Sequence, residues 1–247
     1  MKILIANDDG VFAPGIAALV KAFSSAGHEV TVAAPDTQRS AASHSLSLGK
    51  PLTVNEVFVE GAKKAYAIGG TPADCVKLAL CCLAPEAQVV VSGVNKGYNA
   101  GTDVLYSGTV AAAMEGAICG RPAIAISIEY SREDNYDCAA QLAVRGFEMI
   151  MKHPLPKLTV LNLNFPAIDE AKGLVAVPMR PIRYLETYTR CETEDGALAY
   201  SLSGYPDPKQ DDEDGDYGML CKGYATATVL SYNMTDDNLT ESIKAYL

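Results

Sequence analysis

A short apolar run, Ile3 to Ala6, stops abruptly at Asn7-Asp8-Asp9-Gly10. Pro14-Gly15 then opens a segment whose apolar residues Ile16, Leu19, Val20 and Phe23 recur at helical spacing, and Gly27 closes it. A second apolar run, Val30 to Ala34, ends at Pro35-Asp36. Strand, helix and strand within the first 35 residues make a βαβ unit, whose crossover joins parallel strands. Parallel strands are covered on both faces and read as continuous apolar segments. Val89 to Val91, Pro122 to Ile128 and Leu158 to Asn164 share that texture. Helices are predicted from Thr71 to Leu83, Val110 to Cys119 and Asp137 to His153. Thr71-Pro72-Ala73-Asp74 supplies an N-cap, a proline at the first helical position and an acid in the first turn. Leu52 to Val59 and Ala65 to Ile68 read as further strands. The pattern predicts an α/β fold: a doubly wound, mostly parallel sheet between two layers of helices.

Beyond about residue 175 the alternation lapses. Strand-like pieces at Val175 to Met179, Tyr184 to Arg190, Leu198 to Ser203 and Tyr224 to Leu230 are separated by an acidic run, Asp207 to Asp216, of the kind that is usually solvated. Asp236 to Leu247 is expected to form a short helix. Residues 1–247 therefore read as one domain, with a core over about 1–180 and a hairpin-rich arm and tail over about 181–247 suited to packing on a neighbour. A net charge of -10 argues against a nucleic-acid polymer as partner, but leaves room for a small phosphorylated substrate. Seven cysteines, two of them adjacent at Cys81 and Cys82, do not make a disulfide framework. Cys75, Cys81, Cys82 and Cys119 read as small core side chains. No apolar stretch has transmembrane length and no leader precedes the first strand, so a cytoplasmic protein without membrane attachment is expected.

In such sheets ligands bind outside the carboxyl ends of the strands. Asp8 and Asp9, at the end of the first one, either begin a turn or repel each other around a hard divalent cation. Ser92-Gly93-Val94-Asn95-Lys96-Gly97-Tyr98-Asn99-Ala100-Gly101 reads as a glycine-rich loop at the same edge, in which Asn95 offers a carbonyl oxygen. Tyr106-Ser107-Gly108-Thr109 enters an alanine-rich helix and is either an ordinary cap or a phosphate seat. The serine-rich segment Thr37 to Lys50 reads as a long loop; its Ser40 is a candidate oxygen donor, and its His44 reads as a surface residue. His28 and His153, at helix ends, read as structural. Neither a Walker A ending nor a Gly-x-Gly-x-x-Gly after the first strand is present.

These clusters, in order, resemble the survival protein E (SurE) family. The resemblance rests on Asn-Asp-Asp-Gly at 7–10, Ala-Pro-Gly-Ile at 13–16, Ala-Pro-Asp with Arg-Ser across 34–40, Gly-Gly-Thr-Pro-Ala-Asp-Cys-Val at 69–76, Ser-Gly-Val-Asn at 92–95 and Tyr-Ser-Gly-Thr-Val-Ala-Ala-Ala at 106–113. It implies a Rossmann-like fold and a metal-dependent 5'-nucleotidase that releases phosphate from nucleoside monophosphates. It implies one divalent cation per subunit, Mg²⁺ or Mn²⁺, on Asp8, Asp9, Ser40 and Asn95. Asp8, Asp9 and Asn95 are then the catalytic residues, with Asp8 orienting water or taking its proton. Asn99, Ser107, Gly108 and Thr109 are expected to hold the phosphate. A homodimer or homotetramer with exchanged C-terminal elements is also implied. Ala41 stands where the family commonly has Gly, and Thr226-Ala227-Thr228-Val229-Leu230 lacks the proline of the family's Val-Thr-Pro-Leu string. Side activity on 3'-nucleotides and short polyphosphate stays open. Two rival readings are a phosphatase using Asp8 as a phosphate-accepting nucleophile and a receiver-like signalling switch.

Overall fold

The computed structural model describes residues 1–130, 136–166, 171–207 and 214–246. Its main sheet has nine strands in the order β3-β4-β2-β1-β5-β6-β7-β11-β8. The strands are β1 (Lys2–Ala6), β2 (Glu29–Pro35), β3 (Val54–Val57), β4 (Lys64–Ile68), β5 (Val89–Lys96), β6 (Ala123–Ile128), β7 (Thr159–Phe165), β8 (Leu174–Ala176) and β11 (Ala225–Ser231). From β4 to β7 all pairings are parallel; β3 runs antiparallel to β4 and β11 antiparallel to β7. β9 (Tyr184–Glu192) and β10 (Leu198–Pro206) form a separate antiparallel hairpin.

The two faces of β1 show why its sequence is continuously apolar. Ile3 and Ile5 pack under α1 (Pro14–Ser25) and α4 (Tyr136–Lys152), with Leu19, Phe23 and Phe147. Leu4 and Ala6 pack under α2 (Pro72–Leu78) and α3 (Gly108–Ile118), with Val76, Val110 and Ala113. This is the expected three-layer, doubly wound α/β arrangement. Thr71 and Asp74 close a reciprocal capping box at the start of α2. The helix predicted through Leu83 changes winding at Ala79 and ends in a π-helical turn. That turn leaves Cys81 and Cys82 exposed, so only Cys75 of the four cysteines expected inside is fully buried.

Three further expectations are corrected. The strand predicted to stop at Val91 continues to Lys96, across a register shift between Ser92 and Asn95. Gly93 allows this: its φ is +136°, and a Cβ there would lie 2.3 Å from the Ile126 carbonyl oxygen. Of the late strand pieces, β9 and β10 stand apart as a hairpin, but β8 and β11 extend the central sheet. The acidic run is not uniformly solvated either. Asp207 and Asp216 are buried, Asp216 accepting from the backbone N–H of Gly101 and opening α5 (Asp216–Cys221); residues 208–213 lie outside the described residues. The chain ends in α6 (Asp237–Ile243), which buries none of its residues, and a 3-10 turn. Among the described residues no helix is long and apolar enough to cross a membrane.

Candidate active site

Four segments meet at the carboxyl end of the central strands: the β1–α1 turn, the loop after β2, the end of β5 and the start of α3. In the first, Asn7 makes the turn. Its amide nitrogen donates to the Gly10 carbonyl at 2.9 Å and its amide oxygen accepts from the Gly10 N–H at 3.1 Å. Gly10, at φ +106°, completes it. Neither aspartate is needed to hold the turn, so both carboxylates are available.

Asp8 is 6% exposed and reaches the N-terminus of α3, where its carboxylate accepts from the Thr109 hydroxyl and backbone N–H. Gly108 makes room for it, because a Cβ there would lie 2.8 Å from the Asp8 Cβ. Ser107 caps the helix, accepting from the Val110 N–H at 3.0 Å. Asp9 is partly buried and meets the Lys96 backbone N–H at the end of β5. Burial, reinforced by the Asp9 charge and opposed by Thr109, pushes the Asp8 carboxyl up to about 6. Burial also raises Asp9, against the pull of Lys96 and Gln38.

The third oxygen comes from the loop after β2. The Arg39 N–H donates to the Asp8 carbonyl at 2.7 Å, fixing the loop to the β1 turn. The Gln38 amide nitrogen donates both to Asp9 Oδ1 at 3.3 Å and to Ser40 Oγ at 2.9 Å, so Asp9 and Ser40 are neighbours in space. Asn95 lies on β5 next to Lys96; its amide nitrogen donates to the Gly97 carbonyl at 2.8 Å, leaving its amide oxygen as the donor atom for a ligand. Asp8, Asp9, Ser40 and Asn95 thus come to one rim from three segments. Gln38 carried no sequence signal, and Lys96 none beyond adjacency to Asn95. Asn7 did, in its Asn-x-x-Gly spacing.

Two of the residues expected to hold the phosphate have partners within the protein. Asn99 is turned into the sheet: its amide nitrogen donates to Ser127 at 2.8 Å, and its backbone is held by Asn162 and Asn164. The Thr109 hydroxyl is engaged by Asp8. Ser107 and the backbone of Gly108 remain as anion donors at this helix N-terminus. His44 is not a free surface residue, since its Nε2 lies 3.0 Å from Oε2 of the buried Glu115.

Residues 3–186 match the family described as Survival protein SurE. The chain belongs to the SurE family. It is 42% identical over 242 residues to 5'-nucleotidase SurE of Clostridium beijerinckii, covering 96% of this chain and 95% of that protein. It is 43% identical over 251 residues to 5'-nucleotidase SurE of Moorella thermoacetica, covering 100% and 96%. The crystal structure of the SurE protein from Aquifex aeolicus superimposes with a TM-score of 0.86 at 33% identity, covering 100% of this chain and 99% of that one. The family match spans every residue of the rim.

Ala41, in the family's usual glycine position, adopts φ +54°, and Ser43 adopts φ +52°. A left-handed conformation costs a residue with a Cβ about 1–2 kcal/mol. Ala41→Gly is therefore expected to raise stability by about 1 kcal/mol, read as a Tm gain of about 2–4 °C in thermal unfolding. An unchanged or lower Tm would mean that Ala41 is not strained.

Proposed function

We propose that the protein is a 5'-nucleotidase that hydrolyses nucleoside monophosphates with the help of one divalent cation held by Asp8, Asp9, Ser40 and Asn95. The observation that carries this is the Asp8–Asp9 pair, the first buried and the second partly buried, two like charges with raised pKa values beside neutral oxygen donors. Such a pair fits a hard cation. Two carboxylates, a hydroxyl and an amide suit Mg²⁺ or Mn²⁺ better than zinc. Among the described residues no three His, Cys, Asp or Glu side chains gather as a metal site. When bound, the cation supplies Lewis-acid polarisation of the phosphoryl group and a lowered pKa for water.

The chain's own residues do the rest. The Ser107 hydroxyl and the Gly108 N–H, at the positive end of α3, receive the phosphate oxygens. Thr109 fixes the rotamer of Asp8, which orients the attacking water and takes its proton. A water oxygen bonds to phosphorus, the P–O5' bond breaks, and the ribose oxygen leaves with a proton. Phosphate release from a panel of 5'-mononucleotides should be lost with chelator and restored by added Mn²⁺ or Mg²⁺; no release from any of them overturns the reading. A single turnover in ¹⁸O-water separates direct attack from a phospho-enzyme. Solvent oxygen in the first phosphate is expected, and enzyme oxygen would instead make Asp8 the nucleophile.

The partner reading extends to self-association as a homodimer or homotetramer with exchanged C-terminal elements. The β9–β10 hairpin carries exposed Tyr188, Leu198, Tyr200 and Leu202, and α6 exposes Leu239 and Ile243. Apolar surface of this extent suits a second copy. Light scattering should give a mass above the 26.1 kDa of one chain, and a 26.1 kDa particle would exclude the exchange. Among the described residues no disulfide joins any of the seven cysteines, which suits a cytoplasmic location.

A further inference from the structure

Glu115 is 3% exposed, yet it has no part in the chemistry above. It lies on α3 beyond Thr109, and its two oxygens face different segments. Oε1 accepts from Lys77 Nζ, in the last turn of α2, at 2.5 Å. Oε2 meets His44 Nε2 at 3.0 Å. A buried carboxylate is tolerated only when paired, and removing one partner leaves an uncompensated charge. Here the partners come from outside α3, so the carboxylate ties three segments together. The hydrogen bonds from His44 and Lys77, with the Lys77 charge, hold the Glu115 carboxyl down at about 2 against its burial.

His44 follows Ser40 by four positions, in a segment that belongs to no helix or strand. Its path between the two is unfavourable, with left-handed Ala41 and Ser43. Such a path persists only if outside contacts fix it. Ser43 donates from its hydroxyl to the Leu105 carbonyl at 2.7 Å and from its N–H to the Tyr106 carbonyl at 3.1 Å. The Ser45 carbonyl accepts from the Thr71 hydroxyl at 2.7 Å. Between these backbone anchors, His44 is the side chain that reaches α3.

We propose that Glu115 is a positioning residue for the Ser40 loop. By holding His44 it braces the far side of the loop whose near side is tied to the β1 turn by Arg39 and Gln38, and so helps set how far Ser40 stands from Asp8 and Asp9. The same helix holds Asp8 at its N-terminus through Thr109, so α3 gauges both halves of the donor set. The inference rests on Ser40 serving as a donor to the cation, as proposed above.

Mn²⁺ titration followed by electron paramagnetic resonance tests it, with melting and hydrogen exchange of the metal-free protein alongside. His44→Ala leaves Glu115–Lys77 in place. It should weaken Mn²⁺ binding about 10-fold, in the range for lost supporting contacts around a metal site. It should also speed exchange of the 39–47 amides while Tm stays within about 2 °C. His44→Gln can still donate to the carboxylate and should recover most of the affinity. Glu115→Gln should weaken binding and also lower Tm. Unchanged Mn²⁺ affinity in His44→Ala and Glu115→Gln, with or without a lower Tm, overturns the proposal while leaving the metal site intact. A wild-type protein that binds no Mn²⁺ overturns both.

Discussion

Asp8→Asn is expected to lower kcat/KM for a 5'-mononucleotide by at least ~10³-fold, because it removes the proposed proton acceptor, a role worth about 10²–10⁴, together with one of the two anionic ligands proposed for the cation. The same change should make the metal-free protein more stable. Asp8 is buried, and folding raises its pKa from 3.8 to about 6. For a carboxyl with a raised folded pKa, folding favours the neutral form. Its contribution to stability is full below 3.8 and is lost as pH rises through about 6. The shift corresponds to about 3 kcal/mol. Metal-free Asp8→Asn and wild type should therefore melt together near pH 4 and diverge by pH 7, with the variant higher. Excess Mn²⁺ should close that gap by raising the wild type alone. Near-native turnover of the variant with excess metal would reject Asp8 as ligand and base.

The sequence was most legible where one physical requirement fixed a local pattern. Strands buried on both faces could be read from Ile3–Ala6 or Ile124–Ile128, since helices cover both sides of the sheet and such strands run almost continuously apolar. The Thr71 cap was readable because its bonds are local. The place of Asp8, Asp9 and Asn95 at one sheet edge was readable because they stand next to apolar strands. What was not legible depends on contacts distant in sequence. The partners of Asn99 and Thr109, Ser127 and Asp8, are distant in sequence and could not be read from it. His44 looks exposed until Glu115 arrives from α3. β11 reads as an arm because its antiparallel partner β7 is separated from it by the whole hairpin. Gln38 has no local signature at all; only the fold puts its amide between Asp9 and Ser40.

The Ala-Pro-Gly-Ile motif carries no chemistry, and its glycine makes the sharpest structural demand in the chain. A Cβ on Gly15 would lie 2.0 Å from the Val94 carbonyl oxygen, 3.0 Å from its carbon and 3.2 Å from its nitrogen. These are backbone atoms, which cannot swing aside as a side chain can. Gly15→Ala must therefore push α1 away from β5, or displace the Val94 peptide that precedes Asn95. Overpacking typically costs about 1–3 kcal/mol, and against fixed backbone atoms the upper end, about 3 kcal/mol, is expected, read as a Tm loss of roughly 6–12 °C. Because the displaced peptide leads into Asn95, a proposed donor to the cation, Mn²⁺ affinity should fall as well. Gly27→Ala is the matched control. It lies at φ +81° with nothing within 4 Å of the added carbon, so it should cost only the left-handed strain of about 1–2 kcal/mol and leave Mn²⁺ binding unchanged. If Gly15→Ala melts no lower than Gly27→Ala, the close approach of α1 to β5 does not set the position of Asn95, and the motif must serve another purpose.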